Sequence, residues 1–140
     1  YGDVVAEVRA FLAERVAAAE AAGVPRRRCI VDPGIGFGKR LEHNLALLAG
    51  VGALREIGCP VLVGPSRKRF LGELTGVADP AGRVAGTLAA CLAARRGGAT
   101  VFRVHDVAAL AQALAVAAAL DRAGEMPSAP RGGWTMRQND

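Results

Sequence analysis

The sequence predicts an α/β chain of βα units on a parallel sheet, incomplete by itself. Three observations predict it. Short runs rich in Val, Ile and Leu alternate with long helical stretches, the pattern of buried parallel strands joined by right-handed crossovers. Each apolar run is followed by glycines or polar residues unsuited to a core, as at the strand ends where parallel sheets bind ligands. Only three such runs occur in 140 residues. Three strands cover neither the faces nor the edges of a sheet, and open edges invite pairing. The expected order is helix, strand, helix, strand, helix pair, strand, helix, as part of a larger sheet or barrel.

Residues 3–22 read as an amphipathic helix, because Val4, Val8, Phe11 or Leu12, Val16 and Ala19 recur every three to four positions. Gly23 and Pro25 close it, and Arg26-Arg27-Arg28 is a solvated loop. Cys29-Ile30-Val31 is the first strand and ends in Asp32. The loop Pro33-Gly34-Ile35-Gly36-Phe37-Gly38-Lys39 follows. A second helix is expected from about 42 to 57, with Leu45, Leu48, Leu54 and Ile57 on its apolar side.

Pro60-Val61-Leu62-Val63-Gly64 is the second strand, and Pro65-Ser66-Arg67-Lys68 leads into a short helix reaching about Leu74 and stopped at Gly76. Asp79 and Pro80 suit the N-cap and first position of a helix that runs to Arg96 and ends at Gly97-Gly98. Thr100-Val101-Phe102-Arg103-Val104 is the third strand. Asp106 caps a last helix through about Arg122, with Val107, Leu110, Leu114 and Ala117 facing the core. Residues 1–123 thus form the folded portion. Residues 124–140, rich in Pro, Gly, Ser and Arg, form a flexible tail in which Trp134 is a surface or partner contact.

Composition narrows the function classes. Apolar residues make up 51% and charged residues 22%, which suits a globular chain. No uncharged apolar run reaches the roughly 18 residues of a membrane span, so no membrane partner is expected. The chain opens Tyr1-Gly2-Asp3 without a basic start leading into an apolar stretch, and no secretory leader is expected. Cys29, Cys59 and Cys91 are odd in number and lack C-x-x-C spacing, against a disulfide framework or zinc site and for a reducing, cytoplasmic setting. Each sits among apolar residues, as small buried hydrophobes do. The net charge of +5 favours an anionic partner. Nucleic acid is disfavoured, because aromatics are only 4% and the arginines are scattered.

Against 16 arginines there are only two lysines, and both follow predicted strands: Lys39 after the Gly-rich loop and Lys68 after Ser66-Arg67. A compact ammonium is not interchangeable with a guanidinium. Asp32, then Ser66 and Lys68, then Arg103 and His105 are brought to one face if the strands are parallel. Asp32 is an acceptor suited to the N–H groups of an amino-heterocycle. Lys68 can donate to a ring carbonyl or nitrogen. Arg103 and His105 alternate along the strand end, point the same way and suit an anion such as a diphosphate. Phe37, between small residues, can fold over a planar ring. Each has a structural alternative: Asp32 as the cap of its own turn, Ser66 as an N-cap, His105 as a satisfied structural histidine, Asp106 as a helix cap, Arg83 as an ion-pair partner. The G-x-G-x-G loop is weak by itself, being neither a Walker loop nor G-x-G-x-x-G.

These motifs together resemble dihydropteroate synthase. Ile30 to Lys39, with Asn44-Leu45 and Leu47-Leu48, is similar to that family's sixth strand and loop. Leu62 to Lys68, with Phe70-Leu71-Gly72, resembles its seventh strand and S-R-K motif. Arg83 with Gly86-Thr87-Leu88-Ala89 resembles the following helix, and Arg103-Val104-His105-Asp106-Val107 the eighth strand. The resemblance covers about residues 1–122. It implies the C-terminal portion of a TIM (β/α)8 barrel, from the helix before the sixth strand onward, with the N-terminal half missing, since such a barrel typically takes about 250 residues.

The family implies a folate-pathway transferase. It condenses 6-hydroxymethyl-7,8-dihydropterin diphosphate with 4-aminobenzoate to 7,8-dihydropteroate and diphosphate, as a homodimer when complete, with sulfonamides competing with the aminobenzoate. It implies Mg²⁺, whose protein ligand is not in this segment, so no residue here is assigned to metal. Asp32 and Lys68 would hold the pterin with Gly64 beside it, Ser66 and Phe37 would line the aminobenzoate pocket, and Arg103 and His105 would bind diphosphate. Lys68, Arg103 and His105 are the expected catalytic residues. The segment carries part of a site and is expected to be inactive alone. The alternative is a pterin-binding domain of a methyltetrahydrofolate–corrinoid methyltransferase, or a non-catalytic pterin-binding module; the S-R-K and R-V-H motifs favour the synthase, because a methyl-folate has no diphosphate to bind.

Overall fold

The computed structural model describes residues 1–125. Helix α1 (Val4–Ala21) starts where Asp3 Oδ1 accepts the N–H groups of Val5 and Ala6, each at 3.0 Å. An N-cap carboxylate satisfies amides that have no partner within the helix. Val4, Val8 and Val16 are buried and Leu12 packs on the core, while Phe11 is exposed; of the two sequence candidates, Leu12 is the core residue. Arg26–Arg28 is one 3₁₀ turn rather than an open loop. Its Arg26 donates to Glu20 at 2.8 Å and to the carbonyl of Ile57.

The sheet is parallel, as expected, but its strands are shorter. Strand β1 (Leu62–Val63) pairs with β2 (Val101–Phe102), Leu62 opposite Val101 and Val63 opposite Phe102. The expected first strand is a single parallel bridge, Val31 to Val61, with Ile30 exposed and Cys29 half-buried. A strand holds its extended ladder through neighbours, and the Val31 segment has one on one side only. Val31, Val61 and Val63 are buried beneath the helices.

The helix expected over 42–57 is broken into α2 (Leu41–Ala49), α3 (Val51–Leu54) and a 3₁₀ turn, Arg55–Ile57. The break falls at Gly50, where α1 comes close: a Cβ there would lie 2.9 Å from Val5 Cγ2. The break also shifts the buried face. Leu47, Val51 and Leu54 are fully buried, whereas Leu45, expected in the core, is exposed.

Helix α4 (Arg69–Thr75) ends at Gly76, whose φ of 72° is the left-handed C-terminal geometry that glycine adopts without strain. Asp79 accepts Ala81 N–H at 3.1 Å and caps a 3₁₀ turn, Pro80–Arg83, that runs into α5 (Val84–Arg96). Helix α6 (Val107–Glu125) buries Leu110 but exposes Val107, against expectation. It also continues past Arg122, two residues into the expected tail; Trp134 lies outside the described residues. The span Val107–Gly124 is long and apolar enough, by length and composition, to cross a membrane, with a mean hydropathy of 1.3. Here α6 lies along α5, with Asp121 paired to Arg95 at 2.6 Å.

Candidate active site

The loops that follow the three parallel segments meet at one end of the sheet. Asp32 comes directly after the Val31 bridge. Its Oδ1 accepts Gly34 N–H at 2.8 Å and its Oδ2 faces Arg103 Nη2 at 3.1 Å. Asp32 therefore caps its own turn and also reaches a second segment. It borders a cleft of about 440 Å³ shared with Gly34, Lys39, Val8 and Phe11.

The glycine loop is built from within. Asn44 on α2 is 2% exposed; its Oδ1 accepts Gly36 N–H at 2.6 Å and its Nδ2 donates to Arg40 O at 2.9 Å. Lys39 Nζ donates to the carbonyls of Gly34 at 3.0 Å and Phe37 at 3.2 Å. Partial burial pushes its pKa down, against the pull of Asp32. Lys39 is thus a strut of the loop. Phe37, 60% exposed, sits at the tip, and Lys68 Nζ lies 3.8 Å from its ring centroid, within cation–π range. The Lys68 stem runs over Gly36, where a Cβ would come within 2.9 Å of Lys68 Cδ.

Gly64 follows β1 and makes room in the same way. A Cβ there would lie 3.0 Å from Arg103 Nη2, so a side chain at 64 would obstruct the path from Arg103 to Asp32. Arg103 and His105 lie past the end of β2 at Phe102 and reach different partners. Arg103 turns to Asp32. His105 turns to Ser66, whose Oγ lies 2.8 Å from Nδ1 and accepts His105 backbone N–H at 3.1 Å. Ser66 is thus not an N-cap; that position of α4 falls to Lys68, with no side-chain cap.

Arg67, between the two site residues, has φ of 58° and is the one non-glycine residue at positive φ among the described residues. That geometry costs about 1–3 kcal/mol and persists only where the surroundings enforce it. Thr87 Oγ1 accepts Arg67 N–H at 3.2 Å, and Arg83 Nη1 donates to Arg67 O at 3.0 Å. Asp106 takes the guanidinium at 2.9 and 3.2 Å. Asp106 therefore spends its carboxylate on Arg67 rather than on capping α6, and Arg67 holds its pKa below the usual carboxylate value. Among the described residues Arg83 forms no ion pair: it gathers the carbonyls of Arg67, Val77 and Ala78.

Sequence reasoning left Asn44, Thr87, Arg67 and Arg83 without these roles. An Asn and a Thr inside helices were the available signal, since both favour caps and turns unless a side-chain partner occupies them. Among the described residues, no group of three or more His, Cys, Asp or Glu side chains could hold a metal ion. The end of the sheet thus presents an acceptor, Asp32, beside an ammonium, a guanidinium and an imidazole. That set can grip a molecule with N–H donors at one end and negative charge at the other.

Comparison with known proteins shows the family. Residues 1–105 match the family described as “Pterin binding enzyme”. The dihydropteroate synthase of Synechocystis sp. is 48% identical over 122 residues, covering 87% of this chain and 42% of that protein. The dihydropteroate synthase structure from Xanthomonas albilineans in complex with 7,8-dihydropteroate superposes with a TM-score of 0.85 at 55% identity, over 86% of this chain and 48% of that one. The Thermus thermophilus synthase in complex with 4-aminobenzoate gives a TM-score of 0.82 at 56% identity, over 86% of this chain and 46% of that one. The chain spans less than half the length of these relatives, and its fold is a partial (β/α) barrel.

Proposed function

The chain belongs to the pterin-binding enzyme family, and on that premise we propose that it is the C-terminal portion of a dihydropteroate synthase. The reading rests on one observation above the rest: Asp32, Arg103, Lys68 over Phe37, and His105 on Ser66 lie at the ends of adjacent parallel segments. The dihydropteroate and 4-aminobenzoate held by the Xanthomonas and Thermus enzymes support the substrate assignment.

In the complete protein, Asp32 accepts from the amino-heterocycle of the pterin, Lys68 donates to its ring, and Gly64 lies alongside. Phe37 and Ser66 line the aminobenzoate side. Arg103 and His105 bind the diphosphate. The C–O bond to diphosphate breaks with its electron pair leaving on oxygen, the arylamine nitrogen forms the new C–N bond, and that nitrogen releases a proton. The chain's share is positioning and stabilisation of leaving-group charge. Mg²⁺, were it held by residues outside this segment, would supply charge neutralisation at the diphosphate. The described residues do not fit a Mg²⁺ site, because they form no ligand cluster and the Asp32 oxygens are engaged by Gly34 and Arg103; no step here passes through the ion. The remaining strands of the barrel, a second copy in a homodimer, a cytoplasmic setting and competition by sulfonamides complete the proposal.

The test is condensation of the two substrates by the complete protein. Lys68→Ala and Arg103→Ala should each lower kcat/KM by about 10²–10³, the range for removing one charge-stabilising donor. Residues 1–140 alone should give negligible turnover. No condensation by the complete protein, or unchanged rates in both variants, would refute the proposal; robust turnover by the segment alone would refute its expected inactivity.

A further inference from the structure

Two hydrogen bonds between Ser66 and His105 together locate a proton. The backbone N–H of His105 can only donate, so Ser66 Oγ is the acceptor of that 3.1 Å bond. The same Oγ lies 2.8 Å from Nδ1. A hydroxyl has one hydrogen to give. Ser66 is 6% exposed, and no other acceptor for its hydrogen lies within bonding distance among the described residues. The hydrogen therefore points at Nδ1, which becomes an acceptor, and a neutral imidazole must then carry its own proton on Nε2.

We propose that Ser66 is a positioning residue that holds His105 in the Nε2–H tautomer, so that the outer ring nitrogen is a fixed donor. The tautomer decides what the ring offers. An ionised phosphate oxygen only accepts, so Nε2–H binds it, whereas the other tautomer would set a lone pair against it. The Ser66 hydroxyl has its hydrogen committed to Nδ1, so it directs the donor that His105 offers to the anion. Naming the anion as the substrate's diphosphate rests on the function proposed above; the tautomer itself does not.

The experiment uses the complete protein labelled with ¹⁵N-histidine, at about pH 9, well above the pKa of about 6.5 of an unperturbed histidine. The His105 signals are assigned by their loss in His105→Gln. The expected spectrum has Nδ1 at the unprotonated, pyridine-like position and Nε2 at the protonated, pyrrole-like one. Ser66→Ala should mix the two tautomers and Ser66→Thr should restore one. Ser66→Ala should also weaken competitive inhibition by inorganic diphosphate about tenfold, the value of one such bond. A protonated Nδ1 in the parent protein, or an unaltered spectrum in Ser66→Ala, overturns the proposal. If Ser66→Ala does not fold, the parent spectrum alone decides. If the protein condenses no pterin diphosphate, the proposed function fails while the spectrum still decides the tautomer.

Discussion

Replacing Thr87 by valine keeps the side chain's shape and deletes one oxygen, which makes it a clean probe of the Arg67 turn. Thr87 is 1% exposed on α5, and its Oγ1 accepts the amide of Arg67 at 3.2 Å. That amide belongs to a residue at φ 58°, a geometry that relies on outside support. In Thr87→Val the amide loses its acceptor and faces methyl groups, and an unsatisfied buried donor costs about 1–3 kcal/mol. Thr87→Ser does the opposite: it keeps the hydroxyl and removes a methyl, worth about 1 kcal/mol by burial. For a domain of 150–250 residues, each kcal/mol moves Tm by about 2–4 °C. With about 2 kcal/mol, the middle of that range, thermal unfolding of the complete protein followed by circular dichroism should show a fall of about 4–8 °C for valine and about 2–4 °C for serine. A pure packing role predicts the reverse order, since serine leaves the larger void. Serine at least as destabilising as valine, or an unchanged Tm in Thr87→Val, would refute the support assigned to Thr87.

Two further outcomes follow from the same geometry. Gly36→Ala should lower both stability and Lys68-dependent activity: its φ of 80° strains any Cβ, and that Cβ would fall 2.9 Å from Lys68 Cδ. The expected cost is about 1–3 kcal/mol, read as a loss of urea midpoint with kcat/KM falling alongside; retention of both would contradict the Lys68–Gly36 contact. Asp106→Asn tests the ion pair through pH. Arg67 depresses the Asp106 pKa below 3.8, so the pair's stabilisation is complete above that value and is lost as pH falls through the lower folded-state pKa. The difference in urea midpoint between parent and Asp106→Asn should hold steady from about pH 8 to 5 and shrink toward about pH 2; a difference that grows on acidification would contradict it.

Local chemistry was legible in the sequence, and contacts between distant residues were not. Asp3 and Asp79 each cap a helix or turn with the amides two or three residues on, and Gly76 ends α4 by the geometry that only its own backbone requires. Ser66 and Asp106 carry equally good local cap chemistry, and there the same reasoning fails, because a partner 39 residues away takes each side chain. Leu45 and Leu47 differ for a similar reason. Spacing alone puts Leu45 on the apolar side with Leu48, Leu54 and Ile57, while the close approach of α1 at Gly50 sets which face turns inward. Strand existence and direction followed from the apolar runs, but strand length depends on neighbours, and the Val31 segment bonds on the Val61 side only.

The spacing of 39 also explains why the site residues meet. Leu62 pairs with Val101 and Val63 with Phe102, a constant offset of 101 − 62 = 39. Past the strand ends the same offset joins Ser66 to His105 and Arg67 to Asp106. The backbone ladder gives way to side-chain hydrogen bonds without a change of register. Register along β1 and β2 is set by burying Val61 and Val63, since a slip of one residue would turn both toward the opposite face. The hydrophobic core therefore fixes, residue for residue, which side chain His105 and Asp106 face. Arg103 is the exception that shows the rule: its own level is Gly64, which offers no side chain, and the guanidinium passes over that gap to Asp32. A side chain at 64 would leave the ladder intact and close that path, so the need for a small residue there is decided by a contact between residues 71 apart.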